Sequence, residues 1–165
     1  MLERASEIKL LVSDVDGVWT DGRILVHADG TESTTFSILD GLGIVRLLRA
    51  DVEIAVISGR NNPSVEHRAR RLGIKEIHLG SIDKGPLIRE LISARGLSRE
   101  QVATIGDDLP DLAMFQEAGL CFAPPSAVGV VREHAHWVTR AAAGHGAVRE
   151  VCDLLLTAHH RAHSS

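Results

Sequence analysis

The chain has 165 residues, 44% of them hydrophobic and 24% charged, with 18 basic against 22 acidic side chains and a formal net charge of −4. That is one domain's worth of sequence, with apolar content enough for a core that needs no metal or disulfide staple, so pervasive disorder is excluded. The acid excess and the few aromatics (two Trp, three Phe, no Tyr) argue against a nucleic-acid binder, which relies on a basic footprint and stacking rings.

Short apolar runs alternate with helix-like stretches, which predicts a parallel α/β sheet. Residues 8–12, Ile-Lys-Leu-Leu-Val, read as a first strand covered on both faces. Residues 23–38 break the alternation. Two β-rich runs there flank Asp29-Gly30, a hairpin signal, and a ribbon of this kind is marginal alone, so Leu25 and Phe36 are expected at a subunit contact. A helix is predicted over 42–49, a strand over 53–57, and a helix opening at Pro63 and stopped by Gly73. A strand over 76–79 leads to a helix opening at Pro86, with Leu87, Ile88, Leu91 and Ile92 on one stripe. Ser98 and Gln101 have capping-box spacing before a strand over 101–105. A helix over 112–118, a strand over 120–123, an edge strand over 137–139 and a helix over 147–158 complete the series. Residues 159–165 are expected to be flexible.

No apolar run approaches the ~20 residues that span a bilayer. The first residues carry Glu3, Arg4 and Glu7 with no apolar stretch before a cleavage site, so no signal peptide and a cytoplasmic location are expected. Cys121 and Cys152 lie in apolar contexts without metal-ligand spacing and read as buried free thiols.

In parallel α/β sheets the ligand crevice lies at the carboxyl ends of the strands. Here those ends carry Ser13-Asp14-Val15-Asp16-Gly17, Ser58-Gly59-Arg60, Lys84, and Gly106-Asp107-Asp108-Leu109-Pro110-Asp111. Asp14 and Asp16 fall on one side of an extended segment, and two such carboxylates repel unless a proton or cation intervenes. Hard oxygen donors suit Mg²⁺, and Ser58 and Lys84 are suited to hold phosphoryl oxygens. Each element alone has a plainer reading: Asp14 or Ser58 as a cap, Asp107, Asp108 and Asp111 as helix-start acids, Lys84 as a solvated loop lysine. Cap preference does not explain why all four follow strands that converge on one crevice.

This ordered set resembles the haloacid dehalogenase superfamily: DxDG at Asp14-Val15-Asp16-Gly17, a strand-ending Ser58, Lys84, and GDDxxD at 106–111. The resemblance covers essentially the whole chain. It implies a Rossmann-like parallel sheet sandwiched by helices in a single domain over 1–165. It implies that Asp14 is the nucleophile and that Asp16 protonates the leaving alcohol and then activates water. Mg²⁺ would be held by Asp14, the Asp16 carbonyl and Asp107, with Asp108 and Asp111 supporting that shell. The intervals between motifs hold only the hairpin and single helices, which leaves no room for a cap domain.

Capless chains of this length are similar to the 3-deoxy-D-manno-octulosonate 8-phosphate phosphatases, homotetramers whose hairpins join and help cover neighbouring sites. Asp40-Gly41-Leu42-Gly43-Ile44 resembles their DGxGI segment. Gly144-His145-Gly146-Ala147-Val148-Arg149-Glu150 resembles a tail that reaches toward substrate. Substrate contacts are thereby expected from Ser58, Lys84, Arg60, Arg68, Asp40, Gly41 and His145. Arg60 and Arg68 favour the eight-carbon sugar acid, which implies a role in lipopolysaccharide biosynthesis. Trp19 resembles the type acting on nine-carbon keto acid 9-phosphates, the alternative substrate, and Ala143 and His145 depart from the usual tail. A non-enzymatic oligomeric regulator on the same fold is the alternative of another class; neither the nucleophile nor the acid/base that such a protein would lack is missing. A mutase would need a cap.

Overall fold

The fold, given by a computed structural model, is described for residues 1–163. In chain order it comprises α1 (Leu2–Ser6), β1 (Leu10–Ser13), β2 (Leu25–Val26), β3 (Glu32–Ser33), α2 (Ile38–Leu48), β4 (Glu53–Ser58), α3 (Pro63–Leu72), β5 (Glu76–Leu79), α4 (Lys84–Ala94), β6 (Val102–Ile105), α5 (Leu112–Glu117), β7 (Leu120–Ala123), α6 (Gly129–His134), β8 (Trp137–Val138) and α7 (Ala147–His163). Short 3-10 turns at Arg99–Gln101 and Leu109–Asp111 precede β6 and α5.

Six strands form one parallel sheet in the order β5-β4-β1-β6-β7-β8. The chain runs outward from β1 through β4 to β5, returns to β6 on the other side of β1, and runs outward again. The strand order therefore reverses between β1 and β6, where a doubly wound sheet opens its crevice. Alternate residues of the strands feed two cores. Leu11, Ile54, Val56, Ile105 and Phe122 pack with α1, α2, α3 and α7, and Leu10, Val12, Ala55, Ile57 and Cys121 pack with α4, α5 and α6. Each fully buried large aliphatic side chain contributes roughly 1.5–3 kcal/mol, and coverage of both faces is why these strands read as unbroken apolar runs. Both cysteines are buried free thiols.

Several boundaries differ from the sequence expectation. The second helix begins at Ile38 rather than residue 42, because the Ser37 hydroxyl accepts the N–H groups of Leu39 and Asp40. Asp40 and Gly41 are thus inside α2, where a Cβ on Gly41 would lie 2.4 Å from an Arg68 nitrogen. The fourth helix begins at Lys84, two residues before Pro86. Two short helices, α1 and α6, carried too little periodicity to be predicted. The hairpin is confined to two residue pairs, Leu25 with Ser33 and Val26 with Glu32. The last helix is longer than expected: α7 continues to His163, and His159 is buried with its Nε2 donating to the Ile8 carbonyl at 2.9 Å. Residues 164 and 165 lie outside the described residues.

Candidate active site

The switch point places Asp14 directly after β1 and Asp107 two residues after β6. The Asp14 N–H donates to the Ile105 carbonyl at 3.0 Å, so the two strand ends are tied together. Trp19 fixes the same segment from beneath. Its indole N–H donates to the Ser13 hydroxyl at 2.9 Å, which donates to the Asp14 carbonyl at 2.7 Å. The indole is buried and packs edge-on against Phe36, so the residue that departed from the eight-carbon pattern supports the Asp14 backbone.

A cavity of about 310 Å³ lies above these strand ends, lined among others by Asp14, Asp16, Arg60, Lys84, Asp107 and Asp108. Lys84 is 3% exposed, and its ammonium donates to Asp14 Oδ1 and to Asp111 Oδ1, the latter at 2.6 Å. The lysine is therefore a buried partner of two acids and not a solvated loop residue. Asp111 Oδ2 accepts the N–H groups of Asp107 (2.8 Å) and Asp108 (3.2 Å). Asp108 caps Leu109 at 2.7 Å. The plainer capping reading thus holds for Asp108 and for one oxygen of Asp111, which holds the loop of Asp107 in place while its other oxygen orients Lys84.

Across the cavity, the Ser58 hydroxyl donates to Asp16 Oδ2 at 3.2 Å and accepts the Arg60 N–H at 3.1 Å. Helix α3 is capped by Asn62 instead, which leaves the buried Ser58 hydroxyl to Asp16 in the cavity wall. Arg60 Nη1 donates to Asp16 Oδ1 at 3.1 Å, and its Nη2 reaches Glu32 on β3. Glu32 was not anticipated. It lies two residues beyond the Asp29-Gly30 turn, and only folding the hairpin back over α3 brings it to Arg60; Asn62 donating to the Thr34 hydroxyl at 2.9 Å makes the same attachment.

One ammonium among several carboxylates leaves a surplus of negative charge. Burial, then Asp111, lifts the Asp14 carboxyl well above its ordinary value, against the pull of Lys84. Burial, then Asp111 and Asp108, pushes Asp107 up to about 7. Burial opposes the charge on Lys84, but Asp14 and Asp111 outweigh it and raise its pKa. The three acids Asp14, Asp107 and Asp111 each bring one carboxylate oxygen within 4.8 Å of the others. The Asp16 carbonyl accepts no hydrogen bond from a described residue. A Cβ on Gly17, whose φ is +84°, would lie 2.0 Å from an Asp107 oxygen, so only glycine lets this loop approach that carboxylate. A hard, oxygen-only donor set with excess negative charge fits a divalent cation such as Mg²⁺.

Four expected substrate residues do not reach this cavity. Asp40 is buried, and its carboxylate accepts the N–H groups of Gly146 (3.3 Å) and Arg149 (2.8 Å), anchoring the start of α7. Gly41 serves the close contact with Arg68. Arg68 donates to the Ser37 carbonyl at 3.4 Å and lines a separate groove with Phe36, Pro63 and His67. His145 is exposed and outside the cavity lining. The tail containing it packs on the loop after Asp16, through the Gly144 N–H to the Val18 carbonyl at 3.1 Å. Ile82 and Leu109 stand exposed nearby, Ile82 in the cavity wall.

Comparison with known proteins agrees with this geometry. The family profile of haloacid dehalogenase-like hydrolases matches residues 71–151. The 3-deoxy-D-manno-octulosonate 8-phosphate phosphatase of Yersinia pestis is 43% identical over 158 residues, 96% of this chain and 84% of that protein. The crystal structure of the enzyme of that name from Moraxella catarrhalis, in complex with magnesium ion, phosphate ion and KDO, superposes with a TM-score of 0.94 at 38% identity, covering 99% of this chain and 94% of the other. The cobalt-bound form of the Haemophilus influenzae phosphatase superposes with a TM-score of 0.91 at 39% identity, covering 95% and 92%.

Proposed function

The chain belongs to the haloacid dehalogenase-like hydrolases, within the family of 3-deoxy-D-manno-octulosonate 8-phosphate phosphatases, and we propose on that premise that it is a Mg²⁺-dependent enzyme hydrolysing this sugar-acid phosphate. The observation that carries the reading is the pairing of two aspartates with different partners at one strand end. Asp14 faces Lys84, and Asp16 faces Ser58 and Arg60.

Asp14 attacks phosphorus in line with the departing sugar oxygen, to which Asp16 gives its proton. The aspartyl-phosphate on Asp14 is then hydrolysed by a water that Asp16 deprotonates. Ser58 and Lys84 hold the non-bridging oxygens as charge builds on them, and Arg60, released from Asp16 when substrate arrives, is placed to grip its hydroxyls or carboxylate. Asp14, Asp107 and the Asp16 carbonyl would hold the Mg²⁺, with Asp111 bracing the loop. Bound there, the ion supplies the positive charge that lets a phosphate dianion approach a carboxylate. A phosphate-release panel tests the substrate: the octulosonate 8-phosphate should be turned over at least about tenfold more efficiently than sialate 9-phosphate or its deaminated analogue. Preference for a nine-carbon acid would overturn the eight-carbon assignment.

Mg²⁺ binding must displace the proton that Asp107 holds up to about pH 7. Affinity is expected to rise by about tenfold or more per pH unit below about pH 7, the Asp14 carboxyl being lifted as well, with proton release visible by calorimetry in buffers of different ionisation enthalpy. In the metal-free chain the same proton has the opposite consequence for stability. The folded state keeps it after the unfolded state has lost its own near the ordinary value of 3.8, so stability falls as pH rises from there through about 7.

The active form is a homotetramer joined through the hairpins, in the cytoplasm. Ile24, Leu25 and Val26 are 47%, 62% and 61% exposed, and Ile38 at the start of α2 is 81% exposed. So much apolar side chain around a two-rung ribbon is unusual for a free surface. Buried free thiols support a reducing compartment. No helix among the described residues is long and apolar enough to cross a membrane. Light scattering at micromolar concentration should give a tetramer mass, and Leu25→Asp combined with Val26→Asp should give monomers; a monomeric parent chain would refute the assembly.

A further inference from the structure

At the opposite edge of the sheet, where the strands begin, lies a second cavity of about 440 Å³. Arg4, Arg99 and His136 line it together with Glu3, Glu7 and Glu100. Glu7 leads into β1, Arg99 and Glu100 into β6, and His136 into β8. The cavity is therefore separated from Asp14 and Asp107 by the length of the sheet and takes no part in the chemistry above.

Two of its three cationic or imidazole side chains are held in place, and the outward nitrogens of all three bond no described residue. The His136 backbone N–H donates to the Cys121 carbonyl at 2.8 Å, and the Cys121 N–H donates to the His136 ring at Nδ1, 3.0 Å away. An Nδ1 that accepts carries no proton, so the neutral ring bears its proton on Nε2, which bonds no described residue. Burial, then Arg4 and Arg99, keeps this imidazole's pKa below the ordinary histidine value, consistent with that tautomer. Arg99 Nε donates to the Ala118 carbonyl at 3.1 Å, which orients the guanidinium while its two terminal nitrogens bond no described residue. The Arg4 side chain makes no hydrogen bond or ion pair with any described residue, although Glu3 and Glu7 are close in sequence.

We propose that this cavity binds a small hydroxylated anion. The Arg4 and Arg99 forks and the His136 Nε2–H grip its charged oxygens, and the Glu3, Glu7 and Glu100 carboxylates accept from its hydroxyls. Planar guanidinium forks match phosphate and carboxylate geometry, and the volume falls in the range of small-molecule sites, roughly 300–1,000 Å³. The rim acids explain why a bare anion is not the preferred occupant: they repel charge unless hydroxyl donors face them. A smaller adjoining cavity of about 260 Å³ shares Arg99 and His136 and is lined by Leu112, Phe115 and Cys121, which gives the ligand's carbon chain an apolar wall.

The test titrates 6-phosphogluconate into the full chain without divalent cation, so that no turnover occurs, and follows the His136 ring nitrogens by NMR. A saturable shift of the His136 Nε2 signal is expected. Arg4→Gln and Arg99→Gln should each weaken it by about tenfold or more. Arg4 makes no bond that its loss would break, so Arg4→Gln decides the matter even if Arg99→Gln fails to fold. Inorganic phosphate and gluconate are separate arms, and the one that reproduces the shift identifies the group the arginines recognise. The Gly59 amide reports the catalytic crevice independently. An unmoved His136 signal up to about 10 mM ligand, or a shift unchanged in Arg4→Gln, overturns the proposal.

Discussion

Asp14→Asn is expected to reduce phosphate release by about 10⁴-fold or more, the scale seen when a member of a catalytic unit is removed, while the protein folds as before. The amide is isosteric with the carboxylate but does not attack phosphorus, and no other carboxylate occupies its place directly after β1. The fold should tolerate the change because the cluster holds more negative charge than Lys84 neutralises. Burial and Asp111 already lift the Asp14 carboxyl well above its ordinary value, so removing that charge relieves repulsion, and Lys84 keeps its 2.6 Å bond to Asp111. The melting temperature without Mg²⁺ should therefore be unchanged or raised, and Mg²⁺ affinity should fall. Turnover in Asp14→Asn within tenfold of the parent would sink the assignment of the nucleophile. A parent chain that binds Mg²⁺ yet releases phosphate from no member of the substrate panel would favour a regulator built on the same fold.

The parallel sheet and the acidic cluster at its carboxyl edge were legible in the sequence for one physical reason. Strands buried on both faces must be almost wholly apolar, so the polar residues at and just beyond their carboxyl ends, Asp14, Ser58 and Asp107 among them, stand out as marking the crevice. The hairpin was readable from Asp29-Gly30, but its extent was not. Only two residue pairs form; beyond them Thr34 meets Asn62 at the start of α3, and Glu32, itself paired with Val26, extends its side chain to Arg60. Such long-range polar pairs have no local signature. The same holds for Asp40. Motif resemblance placed it at the substrate, while its carboxylate accepts two N–H groups at the start of α7, where a negative group is favoured by the helix dipole. It anchors the tail, which packs on the loop after Asp16. The helices α1 and α6 were missed because five and six residues hold too little of a 3.6-residue period to register.

Lys84→Met should cost the metal-free chain about 3–5 kcal/mol at neutral pH, the penalty for removing one partner of a buried ionic cluster. Methionine fills the lysine stem's volume with little strain, so the loss isolates the ammonium. Without it Asp14 and Asp111, 5% and 1% exposed, face each other with no cation between them. The Asp14 carboxyl, which burial and then Asp111 already lift well above its ordinary value, must then hold a proton that the unfolded chain releases near that value, so the penalty shrinks toward pH 4 and grows as pH rises above it. Urea unfolding across this range gives the sign directly. Mg²⁺ should recover part of the loss by supplying the missing charge to Asp14 and Asp107, but not activity, since no other ammonium is buried against the oxygens that Lys84 would hold. A Lys84→Met, Asp111→Asn double variant separates the two roles. If the acids are what make the single variant unstable, removing the second charge restores stability by about 1–3 kcal/mol relative to additivity, while turnover stays lost. A single variant destabilised by less than about 1 kcal/mol, with no dependence on pH, would place Lys84 outside the charge balance of the site.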